Sequence, residues 1–446
     1  MVKKTFKGGI HPAHNKELTE ELRTVQAELP EKVIIAMQQH IGAPCKPLVE
    51  VGDLVRAGEK IGDSDAFVSA PIYSSVTGKV TAIGNRYVPL GAQVECVEIE
   101  VDGSADNSIE KMEGFKSAGK SSEDMSGEEI LALIREAGIV GMGGAAFPTH
   151  VKLSPPKGKR IDTVILNGAE CEPYLTADHR IMLEEPDNVV YGLKIVMKVL
   201  KATKGFIGIE DNKPDCIAAM KEAVKVDERI SVFSLPVKYP QGAEKMLIDV
   251  ITGKEVPSGG LPLDVGVVIQ NVGTSAAIAK AVREGIPLVE RIITVTGNGI
   301  VKPANLMVKI GTSFSDIIKQ CLGLTGDAAK IISGGPMMGV AQASADVPVM
   351  KGTSGILVLT DKEVSLASPD PCIRCGQCVI GCPVSLMPNF LGSYGENKLY
   401  DEAESYHAMD CIECGCCAYV CPAARPLTQW IRAAKAEITA RKRRES

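Results

Sequence analysis

The sequence predicts a multidomain chain of mixed α/β and α+β class, and three observations carry that reading. At 446 residues it is too long for a single hydrophobic core. Between residues 128 and 287, strand-like apolar runs alternate with helix-like ones, the pattern of a parallel sheet covered by helices. Near the C-terminus the run Cys372-Ile-Arg-Cys375-Gly-Gln-Cys378-Val-Ile-Gly-Cys382-Pro383 is followed by a second copy, Cys411-Ile-Glu-Cys414-Gly-Cys416-Cys417-Ala-Tyr-Val-Cys421-Pro422. The expected segments are 1–102, a linker over 103–127, then 128–287, 288–350, 362–425 and 426–446.

Composition narrows the classes. Lys and Arg total 49 against 55 Asp and Glu, so no electrostatic case for nucleic acid exists. Of 14 cysteines, eight stand at the in-phase positions of the doubled run, and the rest (Cys45, Cys96, Cys171, Cys216, Cys321, and the out-of-phase Cys416) are scattered, as reduced cytosolic thiols are. Met1 to Phe6 holds no apolar run, so no signal peptide is expected. No stretch reaches roughly 18 apolar residues, so no membrane span is expected, and any membrane association comes through partners or a surface element.

His11 and His14 flank Pro12 in a glycine-rich start and read as loop residues, with no carboxylate or cysteine at ligand spacing. Residues 31 to 101 are β-rich, with strands expected at 33–35, 46–51, 74–80 and 94–99. Gly52 to Ile61, followed by Ala70-Pro-Ile-Tyr-Ser-Ser-Val-Thr-Gly-Lys-Val80, resembles the barrel-sandwich hybrid of lipoyl and biotinyl carriers. The carrier lysine motifs Asp-Lys-Ala and Met-Lys-Met do not occur, which favours a docking or structural module. Residues 103–127 are Ser-, Gly-, Asp- and Lys-rich, a linker composition. Ser126 with Glu129 forms a capping box for a helix through Ala137 that stops at Gly138.

The stretch Gly141-Met-Gly143-Gly144-Ala-Ala-Phe147-Pro-Thr-His-Val-Lys152 follows. Its glycines let backbone N–H groups approach an anion at a helix start, and Lys152 can supply charge to a phosphate. Asp162-Thr-Val-Ile-Leu166 is a buried-strand run that ends in Asn167-Gly-Ala-Glu170-Cys-Glu172-Pro-Tyr174. Polar residues at a strand's carboxyl end sit where open α/β sheets bind ligands. These stretches, with Tyr239-Pro-Gln-Gly242-Ala-Glu244 and Asn271-Val-Gly-Thr274, resemble four consecutive signatures of the flavin-bearing, NADH-binding subunit of respiratory complex I. The resemblance implies a Rossmann-like domain. Gly141, Gly143, Gly144 and Lys152 would hold the phosphate and ribityl chain of FMN, and Phe147 would stack on the nicotinamide nucleotide. Asn167, Glu170 and Glu172 would line flavin and nucleotide; Tyr239, Gly242 and Glu244 would form a second nucleotide turn; Asn271 and Thr274 would contact flavin. Glu172 and Glu244 would accept hydrogen bonds from NADH. The chain departs from that family at Met142, Ala169 and Ala243, where the family has arginine, aspartate and glutamate.

Residues 290–345 are expected to form a smaller unit. Asn298-Gly299 between apolar runs signals a type I′ hairpin, followed by a helix at 315–322 and a strand at 330–333. This order resembles the soluble-ligand-binding β-grasp (SLBB) domain of the same family. Gly334 to Gly339 reads as a structural turn rather than a cofactor lining.

Each cysteine run is C-x2-C-x2-C-x3-C-P, the spacing of bacterial two-cluster ferredoxins, in which the fourth cysteine reaches the other cluster. Cys372, Cys375, Cys378 and Cys421 are assigned to one [4Fe-4S] cluster, and Cys411, Cys414, Cys417 and Cys382 to the second. All-cysteine zinc sites also use paired C-x2-C, but zinc does not explain the third in-phase cysteine or the repeated Cys-Pro ending. Residues 426–446 read as a helix whose basic end, Arg441 to Arg444, complements its dipole.

The order sandwich hybrid, flavin domain, β-grasp, dicluster ferredoxin, with Gly8-Gly-Ile-His-Pro12 and Asn167 to Arg180, is similar over nearly the whole chain to the RnfC family, whose members are subunits of the Rnf electron-transport complex. That resemblance implies electron exchange between NAD(H) and ferredoxin through FMN and two [4Fe-4S] clusters. Membrane partner subunits would couple it to ion movement, and the chain would sit as a peripheral subunit on the cytoplasmic face. Two readings stand beside it: a soluble cobalamin reductase, whose flavin motif lies near the N-terminus without a preceding sandwich module, and a zinc-stabilised scaffold, which would show no visible absorption band.

Overall fold

The structure is a computed structural model describing residues 5–89, 91–112, 124–364 and 368–445. Four domains follow one another, tied together by an N-terminal strap. The first is a two-sheet sandwich. One sheet is ordered Lys32–Ala36, Gln93–Val101, Gly78–Tyr87, Leu54–Val55; the other is Lys46–Pro47, Lys60–Asp63, Ile72–Tyr73. Val33, Ile35, Val55, Ile61, Ile72, Val97 and Ile99 fill the space between them. Two expected strands are shorter than the sequence suggested. The one from Lys46 stops at Pro47, and the one from Ser74 begins at Gly78, because the Ser74 hydroxyl donates to the Val76 carbonyl (2.6 Å) and turns the chain there.

Residues 113–123 of the expected linker lie outside the described residues. The part before them is packed. The Glu110 N–H donates to Ala57 O (2.7 Å), the Met112 N–H donates to Gly285 O (2.8 Å), and Met112 is buried. The helix Gly127–Glu136 then starts with the capping box of Ser126 and Glu129.

The central domain has four parallel strands in the order Ile230–Leu235, Lys204–Glu210, Thr163–Gly168, Val267–Asn271. In chain order that is third, second, first, fourth. The direction of winding therefore reverses between Thr163–Gly168 and Val267–Asn271, and a crevice opens beyond their carboxyl ends. Asn167 and Asn271 are register partners at that point.

The third domain is a six-stranded sheet: Thr24–Gln26, Ala304–Lys309, Glu290–Thr296, Gly355–Thr360, Ala328–Ser333, Val340–Gln342, with the helix Phe314–Gln320 capped by Ser313. It reaches past residue 350 and recruits a strand from the N-terminal segment. The expected type I′ hairpin at Asn298-Gly299 is not formed. The antiparallel pair begins at Val295 and Ala304, and the positive φ belongs to Gly297 (102°), not to Asn298 or Gly299. The neighbouring strand dictates this: a Cβ on Gly297 would lie 2.2 Å from the Val358 carbonyl oxygen.

In the cysteine-rich domain, the C-terminal helix Leu427–Glu445 packs Ile431, Ala434 and Ile438 against Leu391 and Ala403. Its basic end meets carboxylates, Arg441 with Asp401 and Lys442 with Glu404, besides complementing the helix dipole. No described helix is long and apolar enough to cross a membrane.

Lys351 pins three domains. Its buried ammonium donates to Pro71 O (2.7 Å) in the sandwich and to Gly138 O (2.6 Å) in the central domain. Burial pushes its pKa down to about 7. The unfolded lysine titrates near 10.5, so between about pH 7 and that value the unfolded chain holds the extra proton and stability rises with pH. We predict that the thermal midpoint of wild type gains on that of Lys351→Met as pH rises from 7 to 10, by the equivalent of a few kcal/mol. Parallel curves would contradict the assignment.

Candidate functional site

The glycine loop stands over the crevice at the end of Val267–Asn271. Gly143 approaches the Asn271 side chain so closely that a Cβ there would lie 3.2 Å from Asn271 Cβ, whereas the space around Gly144 is open. The Met142 N–H donates to Thr274 Oγ1 (2.9 Å). Asn271 caps the helix Val272–Glu284 through the Gly273 and Thr274 N–H groups and donates from Nδ2 to Asp178 (2.6 Å). Asn167 Nδ2 donates to Gly242 O (2.9 Å), which draws in the third segment. Lys152 and Glu244 form an ion pair at the rim, both partly exposed. Phe147 is half-buried, and its carbonyl accepts the Gly141 N–H (2.9 Å). Gly141, Gly143, Gly144, Lys152, Asn167, Gly242, Glu244, Asn271 and Thr274 are thus brought to one place.

Three of the expected contacts go elsewhere. Glu170 accepts from the Asp178 and His179 N–H groups (2.6 and 3.2 Å), so it caps the helix Ala177–Glu184. Glu172 accepts from the Met337 and Met338 N–H groups (3.1 and 2.8 Å) and closes the Gly334–Gly339 turn. Burial raises both carboxyls to about 7. The Tyr239 ring is buried, and its hydroxyl donates to the Cys414 carbonyl (2.8 Å), away from the crevice. Backbone groups of the central domain's own helix have taken the Glu170 carboxylate, and those of neighbouring domains the Glu172 carboxylate and the Tyr239 hydroxyl. His11 and His14 are exposed, and the His14 carbonyl accepts the Tyr174 N–H (2.8 Å).

The loop from Asn167 to Leu175 is held by buried cations that sequence reasoning did not single out. Lys16, on the N-terminal strap, donates to the Glu172 carbonyl (2.9 Å) and to that of Leu175. Lys213 donates to Ala169 O (2.8 Å) and faces Glu210. Arg291, fully buried beside Asp178, reaches the Met142 carbonyl (3.3 Å) under the glycine loop. A lone lysine or arginine carries no signal of burial in the sequence around it, so nothing in the chain marks these three.

Two cavities lie in the cysteine-rich domain. One is lined by Cys372, Cys375, Cys378 and Cys421. The other is lined by Cys382, Cys411, Cys414 and Cys417, with Cys416 as a fifth. In each, the fourth cysteine of one run joins three of the other run. The Cys416 thiol points to the Tyr239 carbonyl.

Comparison with known proteins follows the same division. Residues 4–104 match the RnfC barrel sandwich hybrid domain, and 134–280 the Nuo51 FMN-binding domain. Residues 292–341 match the SLBB domain, and 365–422 the 4Fe-4S dicluster domain. A subunit of the proton-translocating ferredoxin:NAD(+) oxidoreductase complex of Clostridium ljungdahlii is 52% identical, over 99% of this chain and 96% of its own. Its Na(+)-translocating counterpart in Acetobacterium woodii is 51% identical, over 99% and 98%. The chain belongs to the RnfC family. A subunit of the ion-translocating oxidoreductase complex of Rhodobacter capsulatus is 41% identical, over 99% of this chain and 84% of its own.

As an RnfC protein, the chain has an FMN-binding domain and a dicluster domain for two [4Fe-4S] clusters. The observed surroundings fit both groups. Open space at Gly144 and the Lys152 ammonium at the rim suit a phosphate-bearing flavin. Four cysteines around each cavity are the donor set of a cubane cluster. Gly143→Val would press on Asn271 and fill the loop's approach. The variant is expected to lose nearly all bound FMN at an unchanged far-ultraviolet spectrum, read as flavin per chain after gel filtration. Full FMN occupancy would remove the glycine loop from the site.

Proposed function

We propose that this chain is the subunit of a membrane-associated ferredoxin:NAD+ oxidoreductase complex that exchanges electrons between NAD(H) and two [4Fe-4S] clusters, while partner subunits couple the flow to ion movement. The observation that carries this reading is that one chain joins a crevice suited to FMN, at the reversal point of its sheet, to two four-cysteine cavities. FMN is the cofactor chemistry this junction needs, because it takes electrons in pairs and releases them singly.

The chain's own residues bind and orient. Gly141, Gly143, Gly144 and Lys152 receive the flavin phosphate, and Asn167, Asn271 and Thr274 position the flavin from the strand ends. Phe147 offers a face for the nicotinamide nucleotide. Glu244 is the rim carboxylate for a ribose hydroxyl, and it disfavours a 2′-phosphate, so NADH is preferred to NADPH. Glu170, Glu172 and Tyr239 support the site from behind. Cys372, Cys375, Cys378 and Cys421 hold one cluster; Cys382, Cys411, Cys414 and Cys417 hold the other. In this reading the chain is held at the cytoplasmic face of the membrane by its partner subunits, and ferredoxin is reached through them.

Anaerobic addition of NADH to the isolated chain should bleach its flavin band. Glu244→Ala should keep the flavin and weaken NADH by about 1–3 kcal/mol, the cost of a hydrogen bond to a charged group. A flavin-loaded chain that NADH does not bleach would refute the reading.

A further inference from the structure

Among the described residues, three segments of the flavin side converge on one of the two cysteine cavities and none on the other. Gly8 lies at φ 63° against Cys382, where a Cβ would stand 2.4 Å from the Cys382 carbonyl oxygen, so only glycine lets the strap pass. The Gly9 N–H donates to Gly381 O (3.0 Å). Ile10 and Tyr239 exchange backbone hydrogen bonds in both directions, each 2.9 Å. The Tyr239 hydroxyl then reaches Cys414 O (2.8 Å). The Gly334–Gly339 turn, bound to Glu172, places the Met337 carbonyl against Gly415. Cys382, Cys414 and Gly415 all line the second cavity. The first cavity faces outward: it is lined by residues between Cys372 and Leu427, and Cys372 and Cys375 are exposed.

We propose that electrons pass between the flavin site and the clusters through the second cavity, and that Gly8, Gly9 and Tyr239 are positioning residues that hold this cavity against the flavin-side loops. The inference rests on the electron-transfer reading above and adds the order of the clusters and the residues that fix it. The balance is simple: two reduced clusters, NAD+ and one proton give two oxidised clusters and NADH. None of the three positioning residues exchanges electrons or protons. Electron transfer falls steeply with separation, so a strap that fixes the separation also fixes the rate. Hydrogen bonds near a cluster's ligands tune its potential, and the Tyr239 hydroxyl is one of these.

The test uses the full chain loaded with flavin and clusters, reduced with dithionite and mixed with excess NAD+. Freeze-quenched samples are read by electron paramagnetic resonance, with Cys375→Ser and Cys411→Ser each altering one cluster's signal and so identifying it. The second-cavity signal is expected to disappear first. Cys375→Ser is expected to leave reoxidation of the other cluster rapid, and Cys411→Ser to abolish the rapid phase. Tyr239→Phe keeps the ring and removes only the hydroxyl. It is expected to shift the signal and midpoint potential of the second-cavity cluster and to slow its reoxidation, while the first-cavity signal keeps its wild-type shape. A first-cavity signal that decays first overturns the inference, as does a Tyr239→Phe protein whose second-cavity signal and potential match wild type. If NAD+ reoxidises no centre at all, the electron-transfer reading beneath the inference fails instead.

Discussion

Ile10 and Tyr239 exchange a pair of backbone hydrogen bonds, and the placement of the redox domains depends on that contact. On one side, the turn that begins at Tyr239 carries Gly242 and Glu244 into the crevice. On the other, the strap that contains Ile10 carries Gly8 and Gly9 against Cys382 and Gly381. A buried hydrogen bond between backbone groups contributes only about 1 kcal/mol net, but leaving its partners unpaired costs more. Several such bonds at one buried seam therefore fix its geometry more firmly than they stabilise the fold. An electron carrier needs that, since its rate is set by separations and not by contacts with a substrate.

The loop from Asn167 to Leu175 shows how the chain obtains a rigid strand end without regular structure. Glu170 and Tyr174 take positive φ, at 46° and 68°, where only glycine is at ease. Lys16 and Lys213 compensate by donating to its carbonyls from buried positions, and Glu170 caps a helix from within it. Buried charges are tolerated only when paired and hydrogen-bonded. Lys213 with Glu210, Lys16 beside Glu170, and Arg291 beside Asp178 meet that condition together. Removal of one member leaves the others as uncompensated charges, so the group behaves as a unit. Lys16 lies on the strap, which links this unit to the cluster seam.

Local chemistry was legible in the sequence and long-range pairing was not. The capping box at Ser126, the strand ending at Asn167 and the two cysteine runs each follow from a few neighbouring residues, and the structure shows the helix, the strand and the two four-cysteine cavities. The glycine loop was visible for the same reason. The motifs around Tyr239 and Glu172 suggest ligand contacts because both stand in ligand-binding turns, yet their polar atoms face Cys414 and the 337–338 backbone, more than 160 residues away in both cases. Gly297 rather than Asn298-Gly299 carries the turn because Val358 presses on it, and no local pattern encodes a strand that arrives 60 residues later. Lys351, Lys16 and Arg291 were silent for the same reason: their burial is a property of the assembled domains.

One chain holds a centre that works in electron pairs and two that work singly. Coulometric titration of the fully loaded chain tests it most directly, with electrons delivered through a mediator under anaerobic conditions and flavin and cluster absorption followed together. About four electrons per chain are expected, two taken by the flavin and one by each cluster. Uptake of two electrons or fewer by fully loaded protein would contradict it.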